Sequence, residues 1–302
     1  MSTMAEYHAL HALSASGVDT LVNDCPWKFW QSSPWNPAFA PETANHFDIG
    51  QAAHLAVLEP EQYDARVVEI AAGDYKTKLA RELRDGAYAA GKTPILDKEK
   101  PIIGKIAEAI WEQAGSYFTG GEAEVSLTWD WDGVPCKARP DYLIPDRGLI
   151  VDLKTTTTCN PAAIARKAWN EGWPSRVVWY REAFHRQTPR WMWVDPAITA
   201  AANAVAVRYL FVVVEVKPPH LIQIFELDAR AEAWGQQIVR RGLTLFRECM
   251  AKGEWPAYGT GVRPLSLPGW AEFQLADREQ AGEFSTRPTS EQVARAQEWL
   301  QP

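Results

Sequence analysis

The sequence predicts an α/β protein, a mixed sheet flanked by helices, and three observations carry that reading. Residues Glu124 to Trp131 alternate strictly between polar and apolar side chains, the period of a half-buried strand. Asp132-Gly133 follows at once, a strong hairpin-turn pair. Leu149 to Lys154 is a further strand-like run after the turn Pro145-Asp146-Arg147-Gly148, and stretches of helical spacing lie on either side of this region.

Taken in order, the chain reads as helix near Ser14–Val22 and as irregular over the Trp- and Pro-rich segment from Pro26 to Pro41. Asp48 is a candidate N-cap, Gln51 three residues on completes a capping box, and Pro60 stops that helix. Between Lys98 and Tyr117, Ile102, Ile103, Ile106, Ile110 and Trp111 recur at helical spacing. A strand from Val134 to Ile144 follows the Asp132-Gly133 turn, and Leu149–Lys154 forms the third strand of a meander. Asn160 then caps a helix with Pro161 in its first position, the favoured arrangement. A helix over Ser175–Phe184 and a strand over Arg208–Val216 complete the pattern. The expected organisation is a helical and irregular segment 1–45 packed on the core, a main domain 46–258, and a tail 259–302. The tail ends in a short helix, Thr289–Leu300, whose apolar stripe (Val293, Ala296, Leu300) suits either its own domain or an association.

Composition narrows the function classes. The chain has 302 residues, 46% apolar and 23% charged, as expected of a soluble globular protein. No apolar stretch approaches the roughly 18–20 residues of a membrane span. Residues Met1 to Leu10 lack a signal-peptide core, so a cytoplasmic home is expected. Cys25, Cys136, Cys159 and Cys249 lie far apart with no C-x-x-C pair, which argues against a zinc ribbon or disulfide framework. The net charge is −7, yet residues 136–190 hold ten Lys/Arg against five Asp/Glu. Such a basic island would hold a phosphate backbone at one place only. Of the fifteen tryptophans most suit packing, and a minority would suit base stacking.

Chemistry concentrates around the Pro145–Gly148 turn. If it closes a two-residue hairpin, Asp141 faces Asp152 and Arg139 faces Lys154, all four on one face of the sheet. Opposed carboxylates with Cβ atoms about 4.5–5.5 Å apart repel each other. A hard divalent cation reverses that sign, because both can ligate it. Lys154 would then set a compact positive charge beside the metal, suited to orienting water or stabilising phosphoryl charge. Asp74-Tyr75-Lys76 and Glu215-Val216-Lys217 carry the same short pattern but have no aspartate on a partner strand.

Arg139-Pro140-Asp141 followed by Val151-Asp152-Leu153-Lys154-Thr155-Thr156 resembles the PD-(D/E)XK nuclease signature as RecE-type phage and prophage exonucleases carry it. Tyr7-His8-Ala9 with Leu13-Ser14-Ala15-Ser16-Gly17 is similar to that family's opening. Gly50-Gln51-Ala52-Ala53-His54 with Leu58-Glu59-Pro60, Val214-Glu215 before Pro218-Pro219, and Trp255-Pro256-x-Tyr258 match later landmarks. The likeness spans roughly residues 6–258. It implies a PD-(D/E)XK nuclease-like mixed sheet and a Mg²⁺-dependent exonuclease (Mn²⁺ substituting). The substrate implied is linear double-stranded DNA, degraded 5′ to 3′ to expose a strand for recombination in a bacterial or phage-infected cell. Implied partners are DNA ends, a single-strand annealing protein and further copies of the chain. Carried over, Asp141, Asp152, the Leu153 carbonyl and His54 become metal ligands and Lys154 the catalytic lysine, with Glu124 a weaker candidate beside them. Arg139, Arg166, Lys167, Arg176 and Tyr180 become the DNA-binding set. Arg176 departs from the pattern, which has Gln four residues before the Tyr at 180. Two rivals stand: a non-catalytic DNA-binding scaffold, and an iron–sulfur nuclease of the same superfamily, disfavoured because only Cys249 lies late.

Overall fold

The structure, a computed structural model, describes residues 4–39, 48–191 and 207–284. Helices α1 (Met4–Ala9) and α2 (Ala15–Asp19) lead into one π-helical turn, Thr20–Asp24, as the sequence suggests for this stretch. Pro26 does not begin an irregular segment; it opens α3 (Pro26–Gln31), because a proline in the first turn gives up a donor the helix has no use for. Next come α4 (Asp48–Leu58), α5 (Tyr63–Arg66), β1 (Val67–Ile70), α6 (Lys78–Ala89), β2 (Thr93–Leu96) and α7 (Lys100–Ala114). Strands β1 and β2 form a small parallel pair, unforeseen in the sequence because each is only four residues long. Both residues of the expected capping box of α4 also reach across to neighbouring elements. Asp48 accepts from the Tyr88 hydroxyl at 2.7 Å, and Gln51 from the Thr93 hydroxyl at 3.2 Å.

The meander differs from its expected form in one instructive way. Strands β3 (Glu122–Ala123) and β4 (Leu127–Trp131) are separated by Glu124, whose φ of 54° breaks the expected continuous strand 124–131. Its partner also divides: β5 (Val134–Ala138) pairs with β4, and β6 (Tyr142–Ile144) pairs with β3 and β7 (Leu149–Thr156). Pro140 has no N–H for a ladder, and the chain changes sheets there. The β6–β7 register is the predicted one, Tyr142↔Val151 through Ile144↔Leu149, closed by Gly148 in the left-handed region. Arg139 lies outside that ladder, however, and does not oppose Lys154.

Helices α8 (Pro161–Asn170) and α9 (Trp173–Trp191) carry the crossover from β7 to the parallel strand β8 (Arg208–Glu215). Asn160 caps α8 as expected, accepting from the Ala162 and Ala163 amides. Strand β9 (Ile222–Phe225) closes a five-stranded sheet of order β3-β6-β7-β8-β9. Because β7 and β8 are covered on both faces, they read as nearly continuous apolar runs. Ile150, Tyr209, Phe211 and Val213 join one core, together with Leu13, Trp173 and Trp179. Leu149, Val151, Leu153, Leu210, Val212 and Val214 join the other, against α4 and α7. Helix α10 (Ala229–Lys252) caps its N-terminus with Asp228 and its C-terminus with left-handed Gly253. The chain forms two compact units, 1–257 and 258–302. The second contains α11 (Gly269–Gln280); the expected helix Thr289–Leu300 lies outside the described residues.

Candidate active site

The strictly alternating β7 sends Asp152 and Lys154 to one face of the sheet, while Val151 and Leu153 anchor the other. Asp141, one residue before β6, turns its carboxylate back across the same strand and accepts from the Leu153 amide at 2.8 Å. Helix α4 crosses above. It can approach because Gly50 has no side chain: a Cβ there would stand 2.9 Å from the Thr155 hydroxyl oxygen. One turn further on, His54 brings Nε2 to 2.9 Å from the Leu153 carbonyl and 3.1 Å from Asp141 Oδ2. Its Nδ1 stands 3.7 Å from Glu124 Oε1.

The left-handed backbone that breaks the strand at Glu124 is what aims that side chain here, and its amide donates to the Asp141 carbonyl at 3.0 Å. His54, Glu124 and Asp141 thus offer ligand atoms within 4.8 Å of one another. With the Leu153 carbonyl they make a mixed imidazole, carboxylate and carbonyl donor set, the chemistry that hard and borderline divalent cations take. Burial opposes a charged imidazole at His54, but the Asp141 charge and the ring's hydrogen bonds to the Asp141 and Glu124 carboxylates outweigh it and raise the group to about 10. Burial likewise opposes ionisation of Asp141, and the charges of His54 and Lys154 overcome it, so its carboxyl stays well below the usual range.

Asp152 stands beside this group rather than in it. It is 2% exposed, and Oδ1 is held by the Lys154 ammonium. Oδ2 accepts from the Tyr209 hydroxyl at 2.7 Å and from Arg176 at 3.3 Å. Lys154 also lies 3.8 Å from Asp141 Oδ2, so one cation ties the two carboxylates together. Tyr209 escaped the sequence reading, although a tyrosine in an aliphatic run, two places before Asp152's register partner Phe211 on the parallel strand, was a visible signal. Tyr180 donates to the Arg139 carbonyl at 3.2 Å, and burial lifts its hydroxyl to about 12.

These groups line an open cleft of about 990 Å³ that also takes in Arg139, Arg176 and Tyr180. The cleft does not reach the other two residues of the expected DNA-binding set. Arg166 and Lys167 lie on α8 outside its lining, with Lys167 paired to Glu171 at 3.2 Å. Nor is the basic island a bare cationic surface. Arg139 pairs with Glu124 at 2.7 Å, Arg176 with Asp152, Arg181 with Glu232 and Arg186 with Glu182.

A family model described as a PDDEXK-like domain of unknown function (DUF3799) matches residues 22–263. Among solved structures, a "putative exonuclease" from Eubacterium rectale aligns at 13% identity with a TM-score of 0.56. That alignment covers 89% of this chain and 96% of the other. The crystal structure of SSO0001 aligns at 14% identity over 66% of this chain and 85% of that one; its TM-score of 0.25 bears no weight. No curated protein matches the chain.

Proposed function

This chain belongs to that PDDEXK-like family, and from that premise we propose that it is a divalent-metal-dependent exonuclease acting on the ends of linear double-stranded DNA. The observation that carries the reading is the convergence of His54, Glu124, Asp141 and the Leu153 carbonyl beside Lys154, at the mouth of β7. His54, Glu124, Asp141 and the Leu153 carbonyl would hold a divalent ion, Mg²⁺ or Mn²⁺, which when bound would supply Lewis-acid polarisation of a phosphoryl oxygen and a more acidic water. Asp141 stays ionised at neutral pH and is fixed by the Leu153 amide, so it meets a cation without rearranging. Lys154 supplies a fixed positive charge between Asp141 and Asp152, suited to orienting the attacking water or steadying charge on the scissile phosphate. Arg176 and Tyr209 hold Asp152 in place from behind.

The resemblance to RecE-type enzymes extends the reading: digestion runs 5′ to 3′, and the strand left exposed serves an annealing partner in recombination in the cytoplasm. Linear duplex labelled at either the 5′ or the 3′ end, incubated with Mg²⁺ or with EDTA, tests activity and polarity together. Asp141→Asn and Lys154→Ala are each expected to lower the rate by at least about a hundredfold, in line with loss of one fixed electrostatic group. Digestion at the wild-type rate by either variant would place the chemistry elsewhere.

A further inference from the structure

We propose that Tyr7 is a substrate-contacting residue, its hydroxyl donating a hydrogen bond to a phosphate oxygen of the strand lying in the cleft. This rests on the nuclease reading above. The family match begins at residue 22, so Tyr7 lies before the matched stretch.

The segment around Tyr7 is fastened to the catalytic unit by an unusual tether. Lys137 on β5 is 5% exposed, and its ammonium donates to the carbonyls of Tyr7 and Leu10 at 2.9 Å each and of His8 at 3.3 Å. It also stands 5.0 Å above the Tyr7 ring, a cation–π distance. Leu13 then pairs with Cys136, its amide donating to the Pro135 carbonyl and its carbonyl accepting from the Lys137 amide, both at 2.8 Å. Burying an ammonium is costly, and here its protons are spent on the backbone of one short segment. The effect is to fix Tyr7 against the cleft.

Tyr7 is 8% exposed and lines the same cleft as His54, Asp141 and Lys154. Among the described residues no hydrogen bond of its hydroxyl is seen, which leaves it able to donate into the cleft it lines. The groups whose charge reaches that hydroxyl are Tyr180, Arg139, Arg176 and Glu124, all at the catalytic end of the cleft. Burial keeps it protonated far above its ordinary pKa, so it serves as a donor and not as a base. Both nearby guanidiniums are already engaged, Arg139 with Glu124 and Arg176 with Asp152. A neutral donor with nothing to release, set in their positive field, suits a phosphate oxygen.

Tyr7→Phe keeps the ring over Lys137 and removes only the donor. Full-length wild type and variant are titrated by fluorescence anisotropy against a labelled 5′-phosphorylated duplex in EDTA, alongside thermal unfolding and, with Mg²⁺, KM and kcat. The expected result is affinity weaker by about tenfold, the worth of one hydrogen bond to a charged acceptor, with KM raised to match and an unchanged melting temperature. Equal affinity and KM overturn the proposal while leaving the nuclease reading intact. Weaker binding accompanied by a lowered melting temperature also overturns it, by assigning Tyr7 a packing role. A wild type that neither binds nor cuts duplex removes the nuclease reading and this proposal together.

Discussion

Asp152 places two oxygens on three donors, Lys154, Tyr209 and Arg176, while almost fully enclosed. A buried carboxylate depends on such partners, and removing one leaves the rest to carry a charge they do not fully offset. Arg176→Gln, which restores the residue of the RecE-type pattern, is therefore expected to cost about 1–3 kcal/mol of stability. A denaturant midpoint lowered at constant slope would register it. His54 supplies a pH-dependent prediction. Its imidazole is raised from 6.5 to about 10 in the folded protein. In the metal-free protein the stability this contributes is complete below 6.5 and drains as pH climbs to 10. A cation taking Nε2 must displace the proton, so apparent metal affinity is expected to rise across that window, by up to about tenfold per pH unit. Calorimetric titration in buffers of different ionisation heat reads the released proton, and His54→Ala abolishes its release.

At the scale of elements, the close crossing of α4 on β7 depends on Gly50. Gly50→Leu would drive a branched side chain into Thr155 and lift the helix that carries His54. Metal affinity measured calorimetrically should fall with Gly50→Leu far more than with Gly50→Ala. The central strands were legible in the sequence because their periodicity and turn chemistry are local. The Pro145–Gly148 turn alone fixed the β6–β7 register and with it the approach of Asp141 to β7. What stayed hidden depends on tertiary context. One left-handed residue takes Glu124 out of its strand and into the ligand group, and no pattern of residue types announces a positive φ at glutamate. The split at Pro140 was there to be read, since a proline belongs at a strand's end or edge. The pairing of the basic island is a matter of which side chains meet across helices α9 and α10, as Arg181 meets Glu232, and spacing along the chain cannot give that.

For the molecule as a whole, no helix among the described residues is long and apolar enough to cross a membrane. All four cysteines are free and buried, and burial pushes the thiols of Cys136, Cys159 and Cys249 up, Cys136 to about 12. A chromogenic disulfide reagent is expected to find no fast thiol in the native protein and four after denaturation, because the thiolate is the reactive form. The Lys137 tether has a consequence in time as well as in space. Tyr7 leaves the ribosome long before the lysine that receives it, 130 residues later, and Arg176 later still. Contacts so distant along the chain are made only once the intervening segments exist. A nascent chain halted between Glu124 and β7 would hold His54 and Glu124 but no Lys154, and so lack the complete residue set of the proposed centre. On the proposed reading, the order of synthesis therefore keeps the centre incomplete until more than half of the chain has been made.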